Sequence, residues 1–124
     1  MYKDNPETVL ITTSIRNTIK KMDVENKNSL VVINEKDKVC GIFSLGDFRR
    51  AVFNGLDINN NLSKVINKEF KYVIDGCSKT EIREIFIRNS LIHDLPVLDK
   101  NFYFIKTINR NNILDKEELS LEKY

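Results

Sequence analysis

The chain has 124 residues, long enough for one packed core or two very small ones and too short for a multidomain enzyme. Apolar residues make up 41% and charged residues 31%, the balance of a globular protein and not of a disordered tail, a collagen or a membrane span. The formal charge is +2 with basic and acidic residues interleaved, so the chain lacks the electrostatic footprint that duplex DNA or an anionic membrane demands.

From the start, Met1 to Pro6 hold no apolar targeting stretch, and no later run approaches the roughly 20 apolar residues a bilayer requires. The expectation is a cytoplasmic protein. Val9-Leu10-Ile11 is a short strand candidate. Ile15, Ile19 and Met22 then recur at i, i+4 and i+7 with Arg16, Lys20 and Lys21 opposite, which predicts an amphipathic helix with Thr13 near its N-cap. Leu30 to Ile33 and Val39 to Phe43 are β-rich runs joined by the polar turn 34–38, a predicted hairpin. Phe48, Ala51, Val52 and Leu56 form a second helical stripe, with Gly55 in its C-cap region. After the turn-rich stretch 57–62, a helical turn is expected around Leu62, Val65 and Ile66.

The same order then repeats. Tyr72-Val73-Ile74 is a strand candidate, Ser78 and Glu81 have the spacing of a capping box, and Ile82, Ile85 and Phe86 line one helix face. Leu95 to Leu98 and Phe102 to Ile105 follow as a second hairpin. Sliding one hairpin over the other without a gap matches Leu30 with Leu95, Val32 with Val97 and Asn34 with Asp99. The chain therefore reads as an internal duplication of about 60 residues, repeat 1 over 1–66 and repeat 2 over 67–124. One copy alone buries too little apolar surface to fold well, so two copies related by a pseudo-twofold axis are expected.

The segment richest in chemistry is 41–50, where an apolar strand runs into a helix. Gly41 allows close backbone approach and Gly46 a tight turn, leaving Ser44 and Asp47 side by side at a helix N-terminus. A phosphate there would meet backbone N–H groups, the helix dipole and the Ser44 hydroxyl. Asp47 offers acceptors for a ribose diol, and Arg49 or Arg50 could screen phosphate charge. The same Ser-x-x-Asp spacing is also a capping box, which needs no ligand at all. Cys40 and Cys77, without CxxC spacing and with His93 the only histidine, read as two idle thiols and not as a disulfide or metal site.

With Leu30 to Asn34, Gly41 to Arg50 and Leu95 to Asp99 in view, the chain resembles the tandem cystathionine-beta-synthase (CBS) domains, or Bateman modules. The resemblance runs from about Val9 to Leu119. It implies an α/β (α+β) fold of two repeats, each strand-helix-strand-strand-helix, and a regulatory role rather than an enzymatic one. It also implies that an adenosine-type ligand such as AMP, ADP, ATP or S-adenosylmethionine binds in a cleft between the repeats, with no cofactor required. Ser44 would then meet phosphate and Asp47 ribose, while Ile74, Asp75, Ile92 and His93 would line the base. For His93 the plainer reading is a loop histidine ahead of a strand.

In the second copy Lys106 falls at the Gly41 position, Asn109 at Ser44 and Asn112 at Asp47, so one competent site at most is expected. The wording of 44–51 is most similar to modules that precede sugar-phosphate nucleotidyltransferases, which implies a catalytic partner domain outside these residues. No glycine-rich nucleotidyltransferase loop and no base–nucleophile pair occurs in the chain itself. A homodimer through helical faces is the competing or coexisting expectation, motivated by Ile87 off its apolar stripe and by Ile113, Leu114 and Leu121.

Overall fold

The structure, a computed structural model, describes residues 5–113, which form two units that break between Phe70 and Lys71. The sequence tail from Leu114 onward lies outside the described residues.

The first unit runs β1 (Thr8–Leu10), α1 (Ile15–Glu25), β2 (Ser29–Ile33), β3 (Val39–Ser44) and α2 (Leu45–Phe53). Its sheet has the order β1-β2-β3, with β1 parallel to β2 and β2 antiparallel to β3. A parallel pair cannot be joined by a tight turn, and α1 is the crossover that returns the chain. The N-cap of α1 is Ser14 rather than Thr13: its side chain accepts the Asn17 N–H at 3.0 Å. From that start Ile15 and Met22 face inward with Val9, Leu30, Val32, Phe43 and Leu62 as a continuous core, and Ile19 packs on its margin. Asn54 and then Gly55, at φ +71°, end α2, the left-handed geometry that favours glycine after a helix. The connection supplies Leu62, fully buried at the start of a short 3₁₀ turn over Leu62–Lys64.

The second unit runs β4 (Val73–Ile74), α3 (Lys79–Arg88), β5 (Asp94–Leu98) and β6 (Phe104–Asn109), with helical residues again at 110–113. Val73, Ile82, Phe86, Leu95 and Val97 form its core. Ser78 caps α3 by accepting the Glu81 N–H, which is the forward half of the expected box.

The two hairpins match rung for rung at a shift of 65 residues. Ser29 pairs with Ser44 and Asp94 with Asn109, and the register slips between Val32 and Ile33 and again between Val97 and Leu98. Even the turns agree. The side-chain oxygen of Asn34 accepts the N–H groups of Lys36 and Lys38, and that of Asp99 those of Asn101 and Tyr103. Asp37 and Phe102 occupy the same left-handed position, so Phe102 and Tyr103 belong to the turn and β6 begins later than the apolar run predicts. The copies differ at Pro96. Its counterpart Val31 donates its N–H to the Glu7 carbonyl beside β1; proline has no such donor, and β4 pairs over two residues where β1 pairs over three.

Candidate functional site

Strand β3 delivers Ser44 as its last residue and as the N-cap of α2. Both readings of Ser44 and Asp47 begin from this geometry. Ser44 Oγ accepts the Asp47 N–H at 3.2 Å, and Asp47 Oδ2 accepts the Ser44 N–H at 2.9 Å, so the capping box is complete. The Ser44 hydroxyl also donates to Oδ2, at 2.9 Å. Arg50, one turn on, donates from Nη2 to the other oxygen, Oδ1, at 2.7 Å. Asp47 is 8% exposed, one of the few buried polar residues, whereas the side chain of Arg50 is 67% exposed and Arg49 lies at the surface. The two carboxylate oxygens therefore have different duties: Oδ2 holds the helix start together, and Oδ1 faces an arginine that solvent also reaches.

The phosphate cradle expected at this helix start is partly used up. The Leu45 N–H donates to the Asn28 carbonyl at 3.1 Å and the Asp47 N–H to Ser44, which leaves that of Gly46 among the first three residues of α2. The glycines also divide differently from expectation. Gly41 is required by close approach: a Cβ there would stand 2.9 Å from the Asn67 carbonyl oxygen and from Ile66 Cδ1. The neighbour is the chain itself, since Ile42 and Asn67 exchange backbone hydrogen bonds of 3.0 and 2.8 Å. Gly46 needs no special turn geometry; it sits inside α2, and a Cβ would meet Arg50 and Ser44 at ordinary contact distances.

Beside Asp47 and Arg50, a cavity of about 190 Å³ is completed by Ala51, Asn54, Leu56, Lys64 and Val65. A second, of about 230 Å³, shares Leu56, Lys64 and Val65 and extends to Ile15, Asn60 and Asn61. Sequence reasoning missed Asn54 and Lys64. Nothing in a local pattern joins the end of α2 to a turn ten residues on; the buried Leu62 and the backbone bonds of residues 58, 60 and 62 to the β1–α1 region hold that connection in place.

Of the residues expected at the base, Ile92 and His93 stand just before β5, at the sheet end where β6 finishes. The His93 carbonyl accepts the Arg110 N–H at 2.7 Å. Ile74 and Asp75 stand at the other end, because Ile74 pairs with Leu98 and the Asp75 N–H donates to the Leu98 carbonyl. Five residue steps take the strand from His93 to Leu98, about 16 Å of sheet. In this second unit Asn109 stands where Ser44 does, accepting the Asn111 N–H and donating to Asp94 across the rung at 3.1 Å. Asn112 is exposed where Asp47 is buried, so the carboxylate at this end comes from Asp94, a strand residue outside the motif. Arg110 turns inward, donating to the Phe86, Asn89 and Ile92 carbonyls and lying 5.4 Å from the centre of the Phe86 ring. It ties the last turn of α3 to the sheet.

Burial pushes the Cys40 thiol up, as it does that of Cys77. No cluster of three metal-ligating side chains occurs among the described residues, nor a helix long and apolar enough to cross a membrane.

Residues 1–54 match the family model of the CBS domain. An uncharacterised 17.7 kDa protein of Acidianus ambivalens is 32% identical over 88 residues, which is 71% of this chain and 52% of the relative. The arabinose 5-phosphate isomerase KdsD of Pseudomonas aeruginosa is 29% identical over 107 residues, 86% of this chain and 32% of the relative. The chain thus spans about half of the first relative and a third of the second. Among solved structures, CBSX2 in complex with AMP has a similar fold, with a TM-score of 0.76 at 18% identity over 93% of this chain and 88% of that one. Residues 1–54 are a CBS domain, and the described chain has the mixed α/β fold of CBS-domain proteins, its strand-helix-strand-strand-helix order begun a second time after residue 70.

Proposed function

We propose that the chain is a non-catalytic regulatory module that binds an adenosine-type nucleotide at the start of α2 and passes its binding state to an attached or partner enzyme. The observation that carries this reading is Asp47, a buried carboxylate at the β3–α2 turn with one oxygen left facing solvent-accessible groups. A carboxylate so placed accepts hydroxyl donors of a ribose diol, and the charge-assisted bonds are roughly twice as strong as neutral ones. The AMP bound by the similarly folded CBSX2 supports the ligand class. Binding would act by linkage, shifting the population toward whichever conformation holds the nucleotide better. The partner enzyme works on sugar phosphates: the 44–51 wording points to a nucleotidyltransferase, and an isomerase of a sugar phosphate is among the relatives.

Calorimetry with AMP, ADP, ATP and S-adenosylmethionine tests the proposal. Heat with at least one of them, lost in Asp47→Asn, is expected; no heat with any, or an affinity indifferent to Asp47→Asn, refutes it.

A second reading, a ligand-free module for homodimerisation or docking, is favoured by the completed capping box and by Phe53, Ile87 and Leu91, which are 83%, 57% and 91% exposed. Sedimentation as a monomer at micromolar concentration counts against it.

A further inference from the structure

We infer that Arg50 sets which ligands this site accepts, by holding Asp47 Oδ1 until an anionic group on the ligand offers the guanidinium another partner. The inference rests on the nucleotide reading above and names the ligand class within it. Oδ2 already accepts two donors from Ser44, so it has no lone pair to spare. Oδ1 is the oxygen open to a ligand, and Arg50 donates to it at 2.7 Å. A diol brings two donors to an oxygen with one lone pair remaining, so both hydroxyls engage only when Arg50 leaves.

Arg50 is built to leave. Its side chain is two-thirds exposed, and an ion pair with one partner so exposed holds weakly. The cavity beside the pair gives the guanidinium room, and Lys64, which lines the same cavity, supplies a second cation. A phosphate entering there gains two cationic partners and returns to Arg50 the charge-assisted bonds that it gave up at Asp47. A neutral nucleoside displaces Arg50 and returns nothing. Ligands carrying a phosphate are thereby preferred over the bare nucleoside, through a residue whose resting partner is protein.

Calorimetric titration of adenosine and AMP against wild type and Arg50→Met separates the possibilities, since methionine keeps the exposed stem and removes the charge and the donors. Adenosine is expected to bind Arg50→Met about two- to fivefold more tightly, the range for release of an exposed ion pair. AMP is expected to bind it no more tightly than wild type, so the preference for AMP shrinks by at least that factor. Adenosine affinity unchanged or weakened, with AMP binding still dependent on Asp47, overturns the role of Arg50 and leaves the nucleotide reading standing. Neither adenosine nor AMP bound by either protein overturns the role of Arg50, and the absence of heat with ADP, ATP and S-adenosylmethionine as well overturns the nucleotide reading.

Discussion

Replacing Gly41 with alanine adds one methyl group at the point where the chain passes closest to itself. The new Cβ would lie 2.9 Å from two atoms of different character. Ile66 Cδ1 is the end of a flexible side chain and can rotate away. The Asn67 carbonyl oxygen cannot move alone, because residue 67 is held to Ile42 by backbone hydrogen bonds at both its N–H and its carbonyl. Relief requires a shift of about half an ångström in β3 or in the 66–67 segment, and such overpacking costs typically 1–3 kcal/mol. Alanine in place of glycine recovers about 0.4–1 kcal/mol by restricting the unfolded chain. The net expectation is a loss centred near about 1.3 kcal/mol, or about 0.6 M in urea midpoint at a typical slope of about 2 kcal/mol per M. Gly46→Ala in the same motif is the control: it adds a methyl in ordinary contact within a helix and is expected to be neutral or to stabilise by up to about 1 kcal/mol. Equal midpoints for the two variants, or a stabilised Gly41→Ala, would refute the close-approach account.

Four further substitutions and one thiol-labelling experiment test the remaining features. Asp47→Ala removes an acceptor from the Ser44 N–H and hydroxyl and a partner from Arg50; the capping bond dominates, and a loss of about 1–2 kcal/mol by urea unfolding is expected, against under half of that for Arg50→Met. Equal losses would place the stability in the exposed ion pair instead. Phe102 sits at φ +67° and packs edge-on against Tyr72 with ring centres 5.1 Å apart, so Phe102→Gly trades about 1 kcal/mol of backbone strain for an aromatic pair of about 0.5–1.5 kcal/mol, and a small net change is expected. Phe86→Ala, in the core of the same unit, is expected to cost about 3–5 kcal/mol; a loss at Phe102→Gly of about 1.5 kcal/mol or more, the full aromatic pair with nothing recovered, would show that the turn is not strained. Because burial raises the Cys40 pKa, alkylation of Cys40 by iodoacetamide should lag a free thiol at pH 8 and climb above the ordinary thiol range; any stability carried by the neutral thiol is present at neutral pH and is lost as pH rises through the raised value. Alkylation at the free-thiol rate at pH 8 refutes this.

The fold was readable where residues repeat a local requirement twice. Leu30 and Leu95, Val32 and Val97, and Asn34 and Asp99 share surroundings because each pair occupies the same rung or turn position, so an ungapped comparison of the sequence finds the hairpins. Phe102 misleads the same comparison: it looks like the start of a strand, yet its backbone is the left-handed corner that Asp37 occupies in the first copy. The helix start at Ser44 and Asp47 was readable because a capping box is a short-range object. The cavity was not, since Asn54, Leu56 and Lys64 are brought together by long-range ties, the burial of Leu62 and the backbone bonds of residues 58, 60 and 62 to α1 and the β1–α1 segment. Where Ile74 and Asp75 stand along the sheet is likewise set by strand register, which no local pattern shows: the parallel pairing with β5 puts them beside Leu98, at the other end of β5 from His93.

Capping and ligand binding were alternatives for one carboxylate as long as the carboxylate counted as a single group. Its two oxygens remove the conflict. Oδ2 takes both donors of Ser44 and is the atom whose loss unravels the first turn of α2; Oδ1 makes a single bond to a side chain that is mostly in water. The capping bonds fix the carboxylate in one orientation and bury it, so Oδ1 loses little conformational freedom when a ligand arrives. Asp47→Asn therefore separates the duties better than Asp47→Ala: with the amide oxygen turned toward Ser44, the cap survives and an amide nitrogen replaces Oδ1. The variant should unfold within about 1 kcal/mol of wild type while losing nucleotide binding. A destabilisation as large as that of Asp47→Ala would mean that charge, rather than the placement of Oδ2, holds the helix start together.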